Sequence, residues 1–269
     1  MKRKWFCVLT IVLLVTVGCV ANPVTGKKEL AIPDSYEIAL GEQSAPEFEK
    51  EFGGVHPNAE LQSYVSGVGA RVAAVSDRPM PYKYTVLNSD VPNAFALPGG
   101  KVYITAGLLK LITNERQLAA VLGHETGHVA AKHNVNALKR QMTAEILLQI
   151  ATEAAGEQGA SAVQIAQVVN NMASLRYSRD NEYQADELGI RYASRAGYNP
   201  WGMVELLTAL KGTETTQPGL LDEFFLTHPL TDKRIEEARL RIQADHRTAD
   251  PKAADPGAAR FATIKTLLK

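Results

Sequence analysis

Apolar residues recur at loosely helical spacing from Ser35 to Phe52, through Ile38, Ala39, Ala45 and Phe48, and a second helical pattern follows from Asn58 to Val75. Tyr82 to Leu87 breaks that rhythm. It alternates and is rich in β-formers, which predicts a strand. Two more extended runs, Asn93–Leu97 and Lys101–Thr105, flank Pro98-Gly99-Gly100 and predict a hairpin. From Asn114 onward the chain is nearly all helical in pattern. Asn114 with Gln117 three residues on resembles a capping box, and the helix it opens carries an apolar stripe of Leu118, Val121, Leu122 and Val129. Asn199-Pro200 and Thr231 mark later helix starts, and Gly197 marks a stop. Ala160 to Ala173 is apolar with polar interruptions, which predicts a core-packing helix or, alternatively, a lid or partner surface. Together these patterns predict an α+β fold, mostly helical, with a small sheet or hairpin beside the helix that starts at Asn114.

The first 18 residues stand apart. Lys2, Arg3 and Lys4 precede an apolar run from Trp5 to Val17 that falls short of the roughly 20 residues a bilayer span needs. The run closes on Thr16-Val17-Gly18-Cys19, which resembles a bacterial lipobox, although Thr16 stands where Leu is usual. Residues 1–18 are therefore expected to be a lipoprotein-type signal peptide, with Cys19 as the lipid anchor. Residues 19–34 follow as a tether, 35–244 as the main domain, and 245–269, rich in Pro, Ala and charge, as a C-terminal tail or wrap. This predicts a periplasmic body attached to a membrane. Val20, rather than Asp, follows the cysteine and points to the outer membrane.

The 269 residues are 45% hydrophobic, enough for one well-filled core, with 29 basic residues against 29 acidic ones. Such a balance offers no basic field for a phosphate backbone, so nucleic acid is not an expected partner. Two cysteines exclude a disulfide framework.

The informative chemistry is His124-Glu125-Thr126-Gly127-His128, inside the helix opened at Asn114. Residues four apart on a helix share a face, so both imidazoles can reach one metal, and Glu125 beside the first can address a water there. Neutral imidazoles at this spacing suit zinc. A metzincin would need Gly at 131 and His at 134, but Ala131 and Asn134 occupy those positions. His133 reads as a helix-end histidine that bonds carbonyls or packs. A third ligand is sought downstream, where Glu182 and Asp186 are again four apart. One carboxylate can bind zinc while the other accepts the second ring proton of a ligand histidine. Tyr177 and Tyr183, nearby in sequence, either assist an oxyanion or simply pack.

These residues resemble a known family. His124-Glu125-x-x-His128, then Glu182-x-x-x-Asp186 within Ser-Arg-x-x-Glu-x-x-Ala-Asp, is similar to the zinc metallopeptidases that include the CaaX prenyl protease, HtpX and the BepA-like periplasmic lipoprotein peptidases. Asn93-Ala94-Phe95-Ala96-Leu97-Pro98-Gly99-Gly100, His228-Pro229-x-x-x-x-Arg234 and the leader Asn22-Pro23-Val24-Thr25-Gly26 extend the likeness over Cys19 to Ile242. The membrane helices of the prenyl protease branch and the helical-repeat extension of the BepA branch have no counterpart in this sequence. The resemblance implies a zincin-like fold and one Zn2+ per chain held by His124, His128 and Glu182. It makes Glu125 the general base and has Asp186 orient a ligand. It also implies that substrate lies as an added strand along Asn93, Ala94, Phe95 and Ala96. His228 could donate to the oxyanion, or serve as a fourth ligand that latches the enzyme off, which suits a tethered protease. The implied activity is endoproteolysis of unfolded or misassembled envelope proteins in quality control. A non-enzymatic chaperone or assembly lipoprotein on the same scaffold is the alternative, and an intact Glu125 argues against it.

Overall fold

The computed structural model describes residues 19–30 and 32–268, so the expected signal peptide lies outside the described residues. Cys19–Ala21 (β1) and Lys28–Leu30 (β2) pair antiparallel around a tight loop, in which Asn22 Oδ1 accepts from the amides of Val24 and Thr25. Helices α1 (Asp34–Glu51) and α2 (Ala59–Ala73) follow close to their predicted spans. The predicted strand is β3 (Lys83–Leu87), and the predicted hairpin is β4 (Ala94–Ala96) and β5 (Lys101–Thr105) joined by a 3-10 turn. Gly99 makes that turn possible: its φ is +78°, and a Cβ there would lie 2.6 Å from Ile38 Cα. β5 is central, parallel to β3 and antiparallel to β4, which leaves β4 at the sheet edge.

The rest is helical: α3 (Ala106–Leu111), α4 (Glu115–Ala130), α5 (His133–Gln141), α6 (Ala144–Ala155), α7 (Ala162–Ala173), α8 (Arg179–Arg195), α9 (Gly202–Thr216), α10 (Asp222–Thr227), α11 (Asp232–Asp245) and α12 (Ala258–Lys265). The expected α+β class, mostly helical with a small sheet beside the histidine-bearing helix, is the observed one. The period-2 alternation of the strands divides their side chains between two cores. Tyr84, Val86, Ala94, Ala96, Val102 and Ile104 face the core built on α2, α4, α8 and α9. Leu87, Leu97 and Tyr103 face a second core with α1, α5, α6 and α7. α7 supplies Val168, Val169 and Met172 to that second core, as its apolar pattern predicts. Past residue 244 the chain ends in α12, whose Phe261 and Ile264 are buried. No helix among the described residues is long and apolar enough to cross a membrane.

Both ends of α4 are tied down. At its start Asn114 Oδ1 accepts from the Gln117 amide, but the Gln117 side chain bonds the Thr113 amide and not that of Asn114, so the predicted capping box is only half made. Asp255 Oδ2 also accepts from the Glu115 amide at 2.7 Å. At its end Arg78 Nη1 donates to the Val129 carbonyl and Asn22 Nδ2 to the Ala131 carbonyl, both at 2.9 Å. These donors add to the few backbone bonds at the helix end, where the Val129 carbonyl also accepts from the Lys132 amide at 3.1 Å.

Candidate metal centre

α4 and α8 cross on glycine. A Cβ on Gly127 would meet Leu188 Cβ at 2.9 Å, and one on Gly189 would meet the His124 backbone nitrogen at 2.9 Å. Only a surface without side chains lets the two backbones come this close, and the approach brings Glu182 and Asp186 onto the histidine face. Ser178 and Asn181 cap α8 reciprocally one turn before the first of these carboxylates. α10 ends at His228, held outside helical geometry at φ −120°, ψ 77° as a residue before proline requires.

The result is a buried cluster of His124, His128, Glu182 and His228, with one ligand atom from each within 4.8 Å of the others. His124 Nε2 lies 3.0 Å from His128 Nε2 and 3.3 Å from His228 Nδ1. Glu182 Oε1 lies 3.3 Å from His128 Nε2 and 3.2 Å from His228 Nδ1. Zinc bonds of about 2.0–2.1 Å in a tetrahedron give ligand-to-ligand edges of about 3.3 Å, so the donor set fits that metal in size and chemistry. Imidazole nitrogens facing one another at such distances in a dry interior also call for a cation between them.

The outer ring bonds of the histidines are equally defined. His124 Nδ1 lies 2.9 Å from Asp186 Oδ1, the partner expected for it, which leaves Nε2 free to coordinate. His133, expected to bond carbonyls at a helix end or to pack, also reaches a ring of the cluster. Its Nδ1 is 3.1 Å from His128 Nδ1, and its Nε2 is 2.8 Å from Gln184 Oε1. Read from the Gln184 carbonyl inward, each ring donates outward, and His128 Nε2 keeps its lone pair for the centre. Arg234, 4% exposed, binds both Asp186 oxygens at 2.8 and 2.7 Å, Glu182 Oε2 at 2.6 Å and the Pro229 carbonyl at 3.1 Å. His133 and Arg234 thus act on the cluster although sequence reasoning gave neither a role there. Their signals were a histidine five residues past His128 and the arginine that closes the His228-Pro229 motif.

Charge follows this geometry. Burial would raise Glu182, but His228 and Arg234 prevail and hold its carboxyl well below the usual carboxylate range. Burial would likewise raise Asp186, and Arg234 with His124 holds it low. Burial pushes His128 well down, leaving the neutral imidazole that a metal requires. Burial pushes the Glu125 carboxyl up against the pull of His228 and His124. Both Glu125 oxygens are buried without a hydrogen-bond partner among the described residues, and His228 Nε2 stands 3.7 Å from one of them.

Tyr177 lies against the His128 ring, tilted by 35° with centroids 4.0 Å apart, so of the two tyrosines it is the one at the site; Tyr183 lies under Lys233 instead. The expected substrate strand runs beside α4. Asn93 and Leu97 bond β5 through their backbones, and the alternation of antiparallel pairing turns the peptide groups of Ala94 and Ala96 to the open edge.

Residues 56–242 match peptidase family M48. The chain belongs to that family. The zinc-metallopeptidase resemblance drawn from its separated motifs is thereby borne out. The beta-barrel assembly-enhancing protease of Yersinia pestis is 33% identical over 192 residues, 67% of this chain and 39% of that protein. Its Escherichia coli namesake is 29% identical over 262 residues, 87% of this chain and 51% of that protein. The mitochondrial metalloendopeptidase OMA1 of Schizosaccharomyces pombe is 31% identical over 225 residues, 80% of this chain and 64% of that protein. The chain spans about half the length of the curated relatives it matches. Within the M48 match lie all the clustered residues, β4 and the His228 loop.

Proposed function

We propose that this chain is a zinc-dependent endopeptidase, exported, held at a membrane by a lipid on Cys19, and active on unfolded or misassembled proteins of the cell envelope. The observation that carries the catalytic reading is Glu125: a fully buried carboxylate without a hydrogen-bond partner, one residue from a metal-type histidine. A scaffold needs no such group. His124, His128 and Glu182 hold one zinc. When bound, it supplies positive charge that acidifies a water and polarises the peptide carbonyl. Glu125 takes the proton of the attacking water and passes it to the leaving amine. Asp186 and the Gln184–His133 pair fix the tautomers of the two histidines, and Arg234 steadies Glu182. The open edge of β4 aligns an extended substrate through backbone hydrogen bonds, which suits unfolded chains of varied sequence. His228 at the fourth corner closes the cluster and must leave it for substrate to enter, so its role is that of a latch.

The envelope setting rests on the lipobox-like Cys19 and on relatives whose name refers to β-barrel assembly. Incubation of the zinc-loaded protein with casein tests the chemistry. Glu125→Gln should keep one zinc per chain and lose proteolysis by at least about a thousandfold. Activity within a few-fold of wild type would remove Glu125 from the mechanism. For the tether, Cys19→Ser should shift the exported protein from the membrane to the soluble fraction. Retention through a high-salt wash would mean another anchor.

A further inference from the structure

The edge strand leads into a groove that the chemistry above does not use. At the Asn93 end of β4, a cavity of about 470 Å3 opens between the end of α1, the β3–β4 loop and α10. Phe52, Val91 and Leu226 form apolar walls, and Glu51 and Glu223 stand at its rim. Val91 and Leu226 are 42% and 52% exposed, so these walls are not covered by the fold itself. Phe52 packs on Phe95 of β4 at 4.8 Å between ring centroids, which joins the wall to the substrate strand.

Charge in the groove has one sign. No lysine or arginine lines it among the described residues, and neither Glu51 nor Glu223 has an ion-pair partner there. Burial, then Glu47 and Glu223, push the Glu51 carboxyl up, as expected for carboxylates crowded without a cation. Asn93 adds a polar side chain to the groove wall. It is 6% exposed and lines the groove, and its Oδ1 accepts from the Ala94 amide. Its Nδ2 donates to no acceptor among the described residues. An amide donor at the mouth of a groove, beside an open strand edge, is placed for a peptide carbonyl.

We propose that this groove is a specificity subsite that takes one lysine or arginine side chain of the substrate. The aliphatic stem lies along Phe52, Val91 and Leu226, the cationic head sits between Glu51 and Glu223, and Asn93 Nδ2 holds the substrate backbone at the entry. Long basic side chains are built for such a place, with an apolar stem and a charged tip. Glu223 and Leu226 sit on the helix that ends at His228, so the subsite and the latch share one element. The inference rests on the peptidase and edge-strand readings above.

Cleavage sites mapped in a peptide library should show Lys and Arg enriched at one fixed position from the cut bond. Paired peptides with Lys or norleucine at that position should differ roughly three- to tenfold in kcat/KM, the scale of partly exposed ion pairs. In Glu51→Gln/Glu223→Gln that ratio should fall to near one, and in Glu51→Lys/Glu223→Lys it should invert toward Glu. A wild type that cleaves neither peptide overturns the peptidase reading and this inference with it. Equal cleavage of both peptides, or a preference that survives the double Gln variant, overturns the basic subsite alone.

Discussion

Two largely buried clusters of charge lie barely a turn apart along α4, and they are built to opposite ends. Past its C-terminus, Arg78 and Lys132 face Glu37 and Asp34. Arg78 Nη2 lies 2.9 Å from Glu37 and 2.6 Å from Asp34, and Lys132 Nζ lies 3.1 and 3.2 Å from the same two. Two cations meet two anions, and Arg78 also caps the helix at Val129. Lys132 reaches them from a left-handed backbone, φ 59°, which a non-glycine residue adopts only when its surroundings hold it there. In the metal cluster the arrangement stops short. Imidazole nitrogens converge on one another, and Glu125 has no hydrogen-bond partner among the described residues. The structural ion network pairs its opposite charges and leaves only Arg78 Nε without an acceptor among the described residues, while a reactive one keeps donors and acceptors in reserve for metal, water and substrate.

The largest break in this comparison is at the closed cluster. Arg78→Ala leaves Glu37, 1% exposed, with less compensating charge and uncaps the end of α4. Removing one partner of a buried pair costs about 3–5 kcal/mol, which at this chain length lowers the melting temperature by roughly 6–20 °C. The fraction that remains folded should still bind one zinc. A melting curve within about 2 °C of wild type would show that the network carries little of the stability.

Next comes the partnered outer ring of the open cluster. Asp186→Asn and His133→Ala should each weaken zinc about 10–100-fold, because a ligand imidazole loses the group that fixes its tautomer. Chelator competition measures the affinity, and thermal melts of the apo proteins separate that loss from misfolding. Unchanged affinity in His133→Ala would return it to the packing role read from sequence.

Much of this was legible in the chain before any fold. The spacing of His124 and His128 is itself geometry, since four residues make one helical face, and Glu182 with Asp186 repeats the device. The β4–β5 hairpin announced itself through Pro98-Gly99-Gly100. What stayed hidden depends on how helices cross. The closeness of α4 and α8 comes from Gly127 and Gly189, which in sequence look like poor helix formers. Arg78, Lys132, Asp34 and Glu37 come from three distant segments and read as ordinary surface charge until the fold buries most of them. The Gln117 side chain bonds one residue earlier than its pattern implies, because Thr113 offers both an amide and a hydroxyl.

The smallest predicted effect is the one whose sign matters most. His228 Nδ1 sits 3.2 Å from Glu182 Oε1 and 3.3 Å from His124 Nε2, at the fourth corner of the proposed ligand set. A catalytic zinc site differs from a structural one by keeping that corner open. Two ties act on the loop: Arg234 holds the Pro229 carbonyl, and Glu182 and then Glu125 raise His228 against its burial. A latch that leaves the site open for between about a tenth and a half of the time limits turnover by that fraction. His228→Ala should therefore raise basal casein cleavage roughly two- to tenfold under saturating zinc. An oxyanion donor predicts the reverse, a fall of about a hundredfold or more. Parallel rates for wild type and variant decide between them, and an unchanged rate would make His228 a packing residue that happens to lie among ligands.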